Sequence, residues 1–283
     1  MSGPSLIAHR GYAGIAPENT VGAAVRAAGH DATTMIEIDV QPAACGTPVV
    51  IHDTALDGRR DGRPLTDATG PVWDASLEAL AETSVLGTDE SVPTLRTLLE
   101  AIPDTVGVNV ELKNPGCAPT ELRVGEALDA ATREERQAVW QPFVERVVDD
   151  CVEAVFGGEV LFSTFCEGAL AAVRDVTPHY GVAPLVWDDL EAGLELARRY
   201  DCEAIHPPRN VIAETALSST AYAGFTASEP AVDVLETAHA EGRAVNVWTV
   251  ETWQQAAQLE AAGVDGLIAE YPGVLEWAAD ASE

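Results

Sequence analysis

Lysine is almost missing from this chain. Its 283 residues include 46 acidic and 16 basic side chains, and the basic set is fifteen arginines and the single Lys113. The formal charge of −30 excludes the broad cationic footprint needed to bind nucleic acid or an anionic membrane surface. Lysine is normally among the commonest residues. Its loss beside a large acidic excess resembles proteins of high-salt cytoplasms, where screening relieves self-repulsion. The one lysine retained in such a composition is a candidate functional residue.

Cysteine is scarce and unpatterned. Cys45, Cys117, Cys151, Cys166 and Cys202 are odd in number, with no CxxC and no short Cys/His spacing. That argues against a disulfide framework or a zinc site and for a reducing compartment. No run approaches the ~18 apolar residues of a membrane span. The opening MSGPSLIAHRG has neither the charged start nor the apolar stretch of a signal peptide. The expected setting is cytoplasmic, without stable membrane association.

Hydrophobic residues are not lacking: at 47% they supply a core and exclude disorder. Eight short β-rich runs recur along the chain: SLIAH (5–9), MIEIDV (35–40), GVNVEL (107–112), VLFSTF (160–165), GVAPLVW (181–187), CEAIH (202–206), AVNVWTV (244–250) and GLIAEY (266–271). Helical patterns lie near 18–29, 94–102, 119–155, 167–175, 189–199, 230–241 and 251–262. This alternation predicts an α/β fold, a TIM-type (β/α)8 barrel filling 1–283 as one domain. No Gly-rich phosphate loop follows an early strand, which weighs against an open doubly wound sheet.

PVVIHD (48–53) follows the second strand too closely for a crossover helix. It reads as the return arm of a hairpin turning at Cys45-Gly46, pairing Gln41 with Val50 and Asp39 with His52. Glu37, Asp39 and His52 would then converge on one face. The turn-rich stretch 53–93 predicts a small insertion over the barrel mouth. ADASE (279–283) reads as a frayed tail.

Barrel enzymes react at the C-terminal ends of their strands. Those ends carry His9 and Arg10, then Glu37 and Asp39, then Glu111 and Lys113; each i, i+2 pair shares a strand face. Three converging carboxylates repel one another unless compensated. All-oxygen ligands favour a hard divalent cation, Mg²⁺ or Ca²⁺. With that cation, Arg10 and Lys113, one positive charge is left over, which matches a single phosphodiester. His9 and His52, imidazoles with an ordinary pKa near 6.5, can serve as acid and base around neutrality.

IAHRGYAGIAPENT, MIEIDV, VVIHDTALD, VNVELK, FSTF, VNVWTV and GVDGLIAEYP, in this order, resemble the glycerophosphodiester phosphodiesterase family over nearly the whole chain. The resemblance implies a small-molecule glycerophosphodiester substrate, cleaved to glycerol phosphate and an alcohol. It implies His9 and His52 as the acid–base pair, Glu37, Asp39 and Glu111 as ligands of a divalent metal, and Arg10 and Lys113 as phosphate contacts. It further implies attack by the glycerol 2-hydroxyl through a cyclic phosphate. Two segments depart from the family pattern. LDGRRDG stands where a threonine-containing run is usual, and Ala269-Glu270 replaces Thr-Asp. Neither departure is expected to touch the metal or the histidines.

Other residues have plainer readings beside functional ones. Pro17, Glu18 and Asn19 suit a helix's first turn. Phe165, Trp187 and Trp248 end strands at the mouth, where they either pack or line an alcohol pocket. His206, also at a strand end, is a candidate substrate contact. Arg59, Arg60 and Arg63 are a solvated turn or a contact for an anionic headgroup. His30, His179 and His239 are expected to be inert. Two other functions fit the scaffold. A lysophospholipase D or sphingomyelinase D-like activity needs an apolar groove that the insertion's composition does not supply. A non-catalytic phosphodiester-binding barrel has no use for two histidines.

Overall fold

The computed structural model describes residues 3–154, 156–226 and 232–276. Its first half runs β1 (Ser5–His9), α1 (Val21–Ala28), β2 (Thr33–Pro42), β3 (Pro48–Val50), β4 (Arg59–Arg60), β5 (Arg63–Pro64), α2 (Leu77–Glu82), α3 (Leu95–Ala101) and β6 (Gly107–Leu112). The second half runs α4 (Ala130–Glu153), β7 (Val160–Thr164), α5 (Glu167–Val176), β8 (Gly181–Pro184), α6 (Leu190–Arg199), β9 (Ala204–Ile205), β10 (Ala221–Tyr222), β11 (Phe225–Thr226), α7 (Val234–Ala240), β12 (Ala244–Val250), α8 (Trp253–Ala262) and β13 (Gly266–Ala269).

Eight of the strands pair in the order β8-β7-β6-β2-β1-β13-β12-β9, all parallel. Chain neighbours are therefore sheet neighbours all the way round. The remaining gap closes where Leu185 bridges to His206, with the His206 N–H donating to Pro184 O at 3.0 Å and the Val186 N–H to His206 O at 3.0 Å. The expected (β/α)8 barrel forms. All five cysteines are free. Among the described residues, no helix is long and apolar enough to cross a membrane.

Strand period sets which side chains face inward. Leu6, Ala8, Ile36, Ile38, Val40, Val108, Val110, Leu112 and Phe162 join the large core between strands and helices. Full burial of each Leu, Ile, Val or Phe side chain among them is worth about 1.5–3 kcal/mol. The alternate positions fill the interior in layers. Ile7, Met35, Leu161, Ala183, Ala204 and Ile268 form an apolar floor. Above it, toward the C-terminal strand ends, the same alternation presents His9, Glu37, Asp39, Asn109, Glu111 and Ser163.

The hairpin forms one residue out of the expected register. Val40 pairs with Val50, Gln41 with Val49 and Pro42 with Pro48. The loop holds three residues instead of two, closed by the Ala43 N–H to Thr47 O at 2.9 Å, with Gly46 left-handed at φ 81. β3 then stops, because the Gln41 Nε2 group donates to the carbonyls of Ile51, His52 and Asp53, each at 3.0 Å. His52 therefore reaches the mouth from a turn and does not sit across from Asp39 in a ladder.

Residues 53–93 carry β4, β5 and α2 and have their own apolar cluster of Leu56, Leu65, Val72, Leu80, Val85 and Val92. That cluster rests on Val49 of β3 and on Ile51 just after it. Other boundaries shift for local reasons. The 119–155 helix begins only at Ala130, after left-handed Arg123 and Gly125, where the Asp129 side chain accepts from the N–H groups of Ala131 and Thr132. The 18–29 helix begins at Val21 behind its Thr20 cap, which leaves Glu18 and Asn19 in the preceding loop. The 230–241 helix is seen as Val234–Ala240; its expected start at 230–231, residue 155 and the 279–283 tail lie outside the described residues.

Candidate active site

The chain leaves β1 through a tight reversal. Arg10, Gly11 and Tyr12 are all left-handed, at φ 50, 77 and 65. Such backbone costs on the order of 1–3 kcal/mol at each non-glycine position. Gly11 passes so close to α1 that a Cβ there would lie 2.9 Å from the Ala23 backbone carbon. The reversal aims the Arg10 N–H at Glu37 Oε2 (2.9 Å) and brings the guanidinium back over the barrel, with Nε 3.3 Å from Asp39 Oδ2 and NH1 2.9 Å from Glu18 Oε1.

Glu37, Asp39 and Glu111 are buried, each with an oxygen within 4.8 Å of the others. Carboxylates that close repel by at least about 3 kcal/mol per pair at an effective dielectric near 20. Burial, then Asp39 and Glu111, push the Glu37 carboxyl well above the carboxylate range. Burial pushes Glu111 up to about 7, Asp39 adding to the effect and Lys113 opposing it. Asp39 goes the other way. Against the upward push of burial, His52, Arg10 and Lys113 hold it well below its usual range. Asn19 grips it twice, Nδ2 donating to Oδ2 at 2.8 Å and Oδ1 accepting the Asp39 N–H at 3.1 Å. Lys113 Nζ lies 2.7 Å from Glu111 Oε1 and 3.6 Å from Asp39 Oδ1.

Two cations thus face three carboxylates, and Glu37 Oε1 and Asp39 Oδ1 are buried without a hydrogen-bond partner. Orphaned, mutually repelling oxygens in one small space are a donor set suited to a hard divalent cation. The residues fit that group.

Both histidines are backed by a carboxylate. The His9 Nδ1–H donates to Glu270 Oε1 at 2.7 Å, which turns Nε2 toward Glu37 Oε2, 3.9 Å away. The His52 Nδ1–H donates to Asp53 Oδ1 at 2.7 Å. Burial, helped by Lys113 and Arg10 and opposed by Asp39, lowers the His52 imidazole to about 4. Glu270 therefore does touch a histidine, contrary to expectation. It lies two residues beyond inward-facing Ile268, and barrel closure sets β13 beside β1.

The other side of the mouth is aromatic. Phe165, Trp187 and Trp248 contact one another with ring centroids 5.6–6.1 Å apart, and Tyr222 joins Trp248 at 5.8 Å. The Arg209 guanidinium covers Tyr222 at 3.5 Å. Lys113 Nζ, 5.9 Å from the Phe165 centroid, links the two sides. Together they bound a cavity of about 610 Å³ lined by His9, Arg10, Glu37, His52, Glu111 and Lys113 on one side. Pro119, Leu122, Val124, Phe165, Trp187 and Trp248 line the other.

His206 is a correction: it does not line this cavity. It is fully buried, receives the Asn246 Nδ2–H at 3.0 Å, and its backbone closes the barrel. Burial lowers its imidazole to about 3. Glu18 and Asn19 lie not in a helical turn but against Arg10 and Asp39. Arg60 is only partly exposed and is not free for a headgroup, because both Glu18 and Asp53 hold it. Sequence reasoning missed Asp53, Glu270 and Tyr222 as site residues. Only Glu270 left a usable signal, its even spacing from Ile268 on a strand that must close onto β1.

Fold and site define a (β/α)8-barrel enzyme with its polar groups gathered at the C-terminal strand ends. The chain belongs to the glycerophosphoryl diester phosphodiesterase family, whose model matches residues 9–274. It is 27% identical to a glycerophosphodiester phosphodiesterase of Bacillus altitudinis over 278 residues, covering 94% of each chain. It is 34% identical to human glycerophosphodiester phosphodiesterase 1 over 116 residues, covering 38% of this chain and 32% of the human protein. Its fold superposes on an Oleispira antarctica phosphodiesterase, solved in complex with sn-glycerol-3-phosphate, with a TM-score of 0.75 at 24% identity, covering 98% of this chain and 97% of that one.

Proposed function

We propose that this chain hydrolyses glycerophosphodiesters to glycerol phosphate and an alcohol, with His9 and His52 as the acid–base pair. One observation carries the reading: two carboxylate-backed imidazoles border a buried carboxylate triad that Arg10 and Lys113 do not neutralise. One imidazole takes the proton of the attacking hydroxyl and the other returns a proton to the leaving oxygen. The glycerol 2-hydroxyl first displaces the alcohol to close a cyclic phosphate. Water then opens that ring, the glycerol 2-oxygen leaving, to give glycerol phosphate. Glu270 and Asp53 fix each ring's tautomer, so that Nε2 is the atom presented to substrate. Arg10 and Lys113 draw in the phosphodiester and offset the charge that develops on it. Glu37, Asp39 and Glu111 would hold Mg²⁺ or Ca²⁺, which when bound polarises a phosphoryl oxygen as a Lewis acid. The reading takes the chain as one domain with 53–93 as its insertion, acting in a reducing, salt-rich cytoplasm.

Release of glycerol phosphate from glycerophosphocholine in molar salt tests the proposal. Chelation, His9→Ala and His52→Ala should each lower turnover, the substitutions by roughly 10²–10⁴-fold. Equal turnover in all cases would overturn both the histidine and the metal assignments.

A second reading, hydrolysis of a single-chain lysophospholipid at the same site, draws support from the apolar wall. Trp187 and Val124 are 41% and 44% exposed there. The wall's apolar side chains come mainly from β12 and the loops after β6, β7 and β8, while the insertion adds Thr54, Ala55 and Gly58 to the same cavity. A lysophospholipid turned over at least as well as glycerophosphocholine would favour it. A binding-only barrel has no use for two backed imidazoles.

A further inference from the structure

One arginine of the insertion hairpin has a place that the acid–base chemistry does not explain. Leu56 and Leu65 anchor the insertion in its own core. Between them β4 and β5 reverse through Asp61 and Gly62, both left-handed at φ 49 and 79, the geometry of a two-residue turn. Within this hairpin Arg59 spends its NH2 group on the Gly62 carbonyl, and Arg63 is exposed. Arg60 alone turns inward.

Its guanidinium forks across two carboxylates. Nε and NH2 bind Glu18 Oε2 and Oε1 at 2.6 and 2.8 Å, while NH2 and NH1 bind Asp53 Oδ1 and Oδ2 at 2.8 and 3.1 Å. Glu18 is 5% exposed and also holds Arg10 NH1. Asp53 also holds the His52 ring. Charges alternate along the line Asp53, Arg60, Glu18, Arg10, with the His52 ring donating to Asp53 at one end, and without Arg60 the Asp53 and Glu18 carboxylates lose the cation between them.

Gly58 completes the arrangement. A Cβ there would fall 2.0 Å from Asp53 Oδ2, so the absence of a side chain lets the Asp53 carboxylate lie back within reach of Arg60. Four bonds to two carboxylates need the planar guanidinium fork; an ammonium is a point charge and cannot span them.

We propose that Arg60 is a positioning residue: by clamping Asp53 and Glu18 it sets the His52 ring and the Arg10 guanidinium at once, and so couples the insertion to the reacting groups. The proposal rests on the roles given above to His52 and Arg10. Displacement of about 1 Å at such groups costs on the order of 10²-fold in rate.

The test compares wild type, Arg60→Ala, Arg60→Lys and Gly58→Ala, each metal-saturated, for kcat and KM on glycerophosphocholine and for melting temperature. Arg60→Ala should lose about 10²-fold in kcat while staying folded. Guanidinium ion should restore part of that kcat and do nothing for wild type. Arg60→Lys should recover little, and Gly58→Ala should fall in the same direction with Arg60 intact. An unchanged kcat, or a loss that guanidinium does not restore, overturns the clamp. A second readout does not depend on turnover. In ¹⁵N-histidine-labelled protein, the His52 Nδ1–H resonance, assigned by its loss in His52→Ala, should persist in wild type and exchange away in Arg60→Ala. Its persistence in Arg60→Ala overturns the proposal. If wild type fails to turn over this substrate, the parent reading falls, and this resonance still decides for or against the clamp.

Discussion

The two sides of the barrel mouth are built on opposite terms. On the side of β1, β2 and β6 charged groups are held by specific partners, Asp39 by Asn19, Arg10 and Lys113, His9 by Glu270, and His52 by Asp53, while Glu37 Oε1 and Asp39 Oδ1 are left without a hydrogen bond. On the side of β7, β8 and β12 the wall is four aromatic rings in edge and tilted contact, with Trp187 reaching solvent. Charge–charge energy in a buried site falls off slowly and punishes misplacement. Apolar contact is non-directional and tolerates exchange. The first side is therefore suited to fix a reaction, and the second to grade which substrate enters it.

The sharpest way to break that comparison is Glu37→Gln on the charged side. Activity should fall by about 10²–10⁴-fold, the scale of a lost acid–base or electrostatic group. The chelated variant should nonetheless melt higher than chelated wild type, because burial and the repulsion of Asp39 and Glu111 already strain that carboxylate. Calorimetry beside an activity assay reads both; a lower melting temperature would show that the triad is a satisfied polar layer.

Trp187→Ala probes the aromatic side. Its cost should depend on the substrate, with kcat/KM for a chain-bearing lysophospholipid falling roughly tenfold or more beyond that for glycerophosphocholine. A uniform loss on both would mean that this side also takes part in the common chemistry.

The smallest effect is expected beneath that wall, at His206, whose carbonyl accepts the Trp248 indole N–H at 2.8 Å. Burial lowers its imidazole to about 3, so it folds neutral, whereas the unfolded chain protonates it near the ordinary value of about 6.5. The unfolded state binds the extra proton throughout that window, and stability drops as pH falls through it. His206→Asn should flatten the acid loss of urea midpoints and leave neutral-pH turnover unchanged. Lost turnover would return His206 to the site.

Much of the charged side was legible because strand alternation is a local rule. Glu37 and Asp39, or Glu111 and Lys113, share a face whatever the rest of the chain does, and the strand ends are where a barrel opens. The partners of those groups were not legible. Asp53 and Arg60 meet only because a three-residue hairpin loop shifts β3 and the insertion folds back. Glu18 and Asn19 reach Arg10 and Asp39 because α1 starts late, at Val21. His206 shows the converse: a strand-end position that alternation aims inward, yet barrel closure seals it from the cavity.

The sequence by itself determined the barrel, its eight strands and the identity of the groups that converge at the mouth, because burial on a parallel strand depends on period and composition. The tertiary structure decided which carboxylate backs which histidine, where the insertion grips the site, and which aromatic rings face the cavity. Those outcomes depend on loop paths and on the meeting of the first strand with the last. These contacts join residues as far apart as His9 and Glu270, and beyond the even spacing of Glu270 from Ile268 no local pattern in the chain records them.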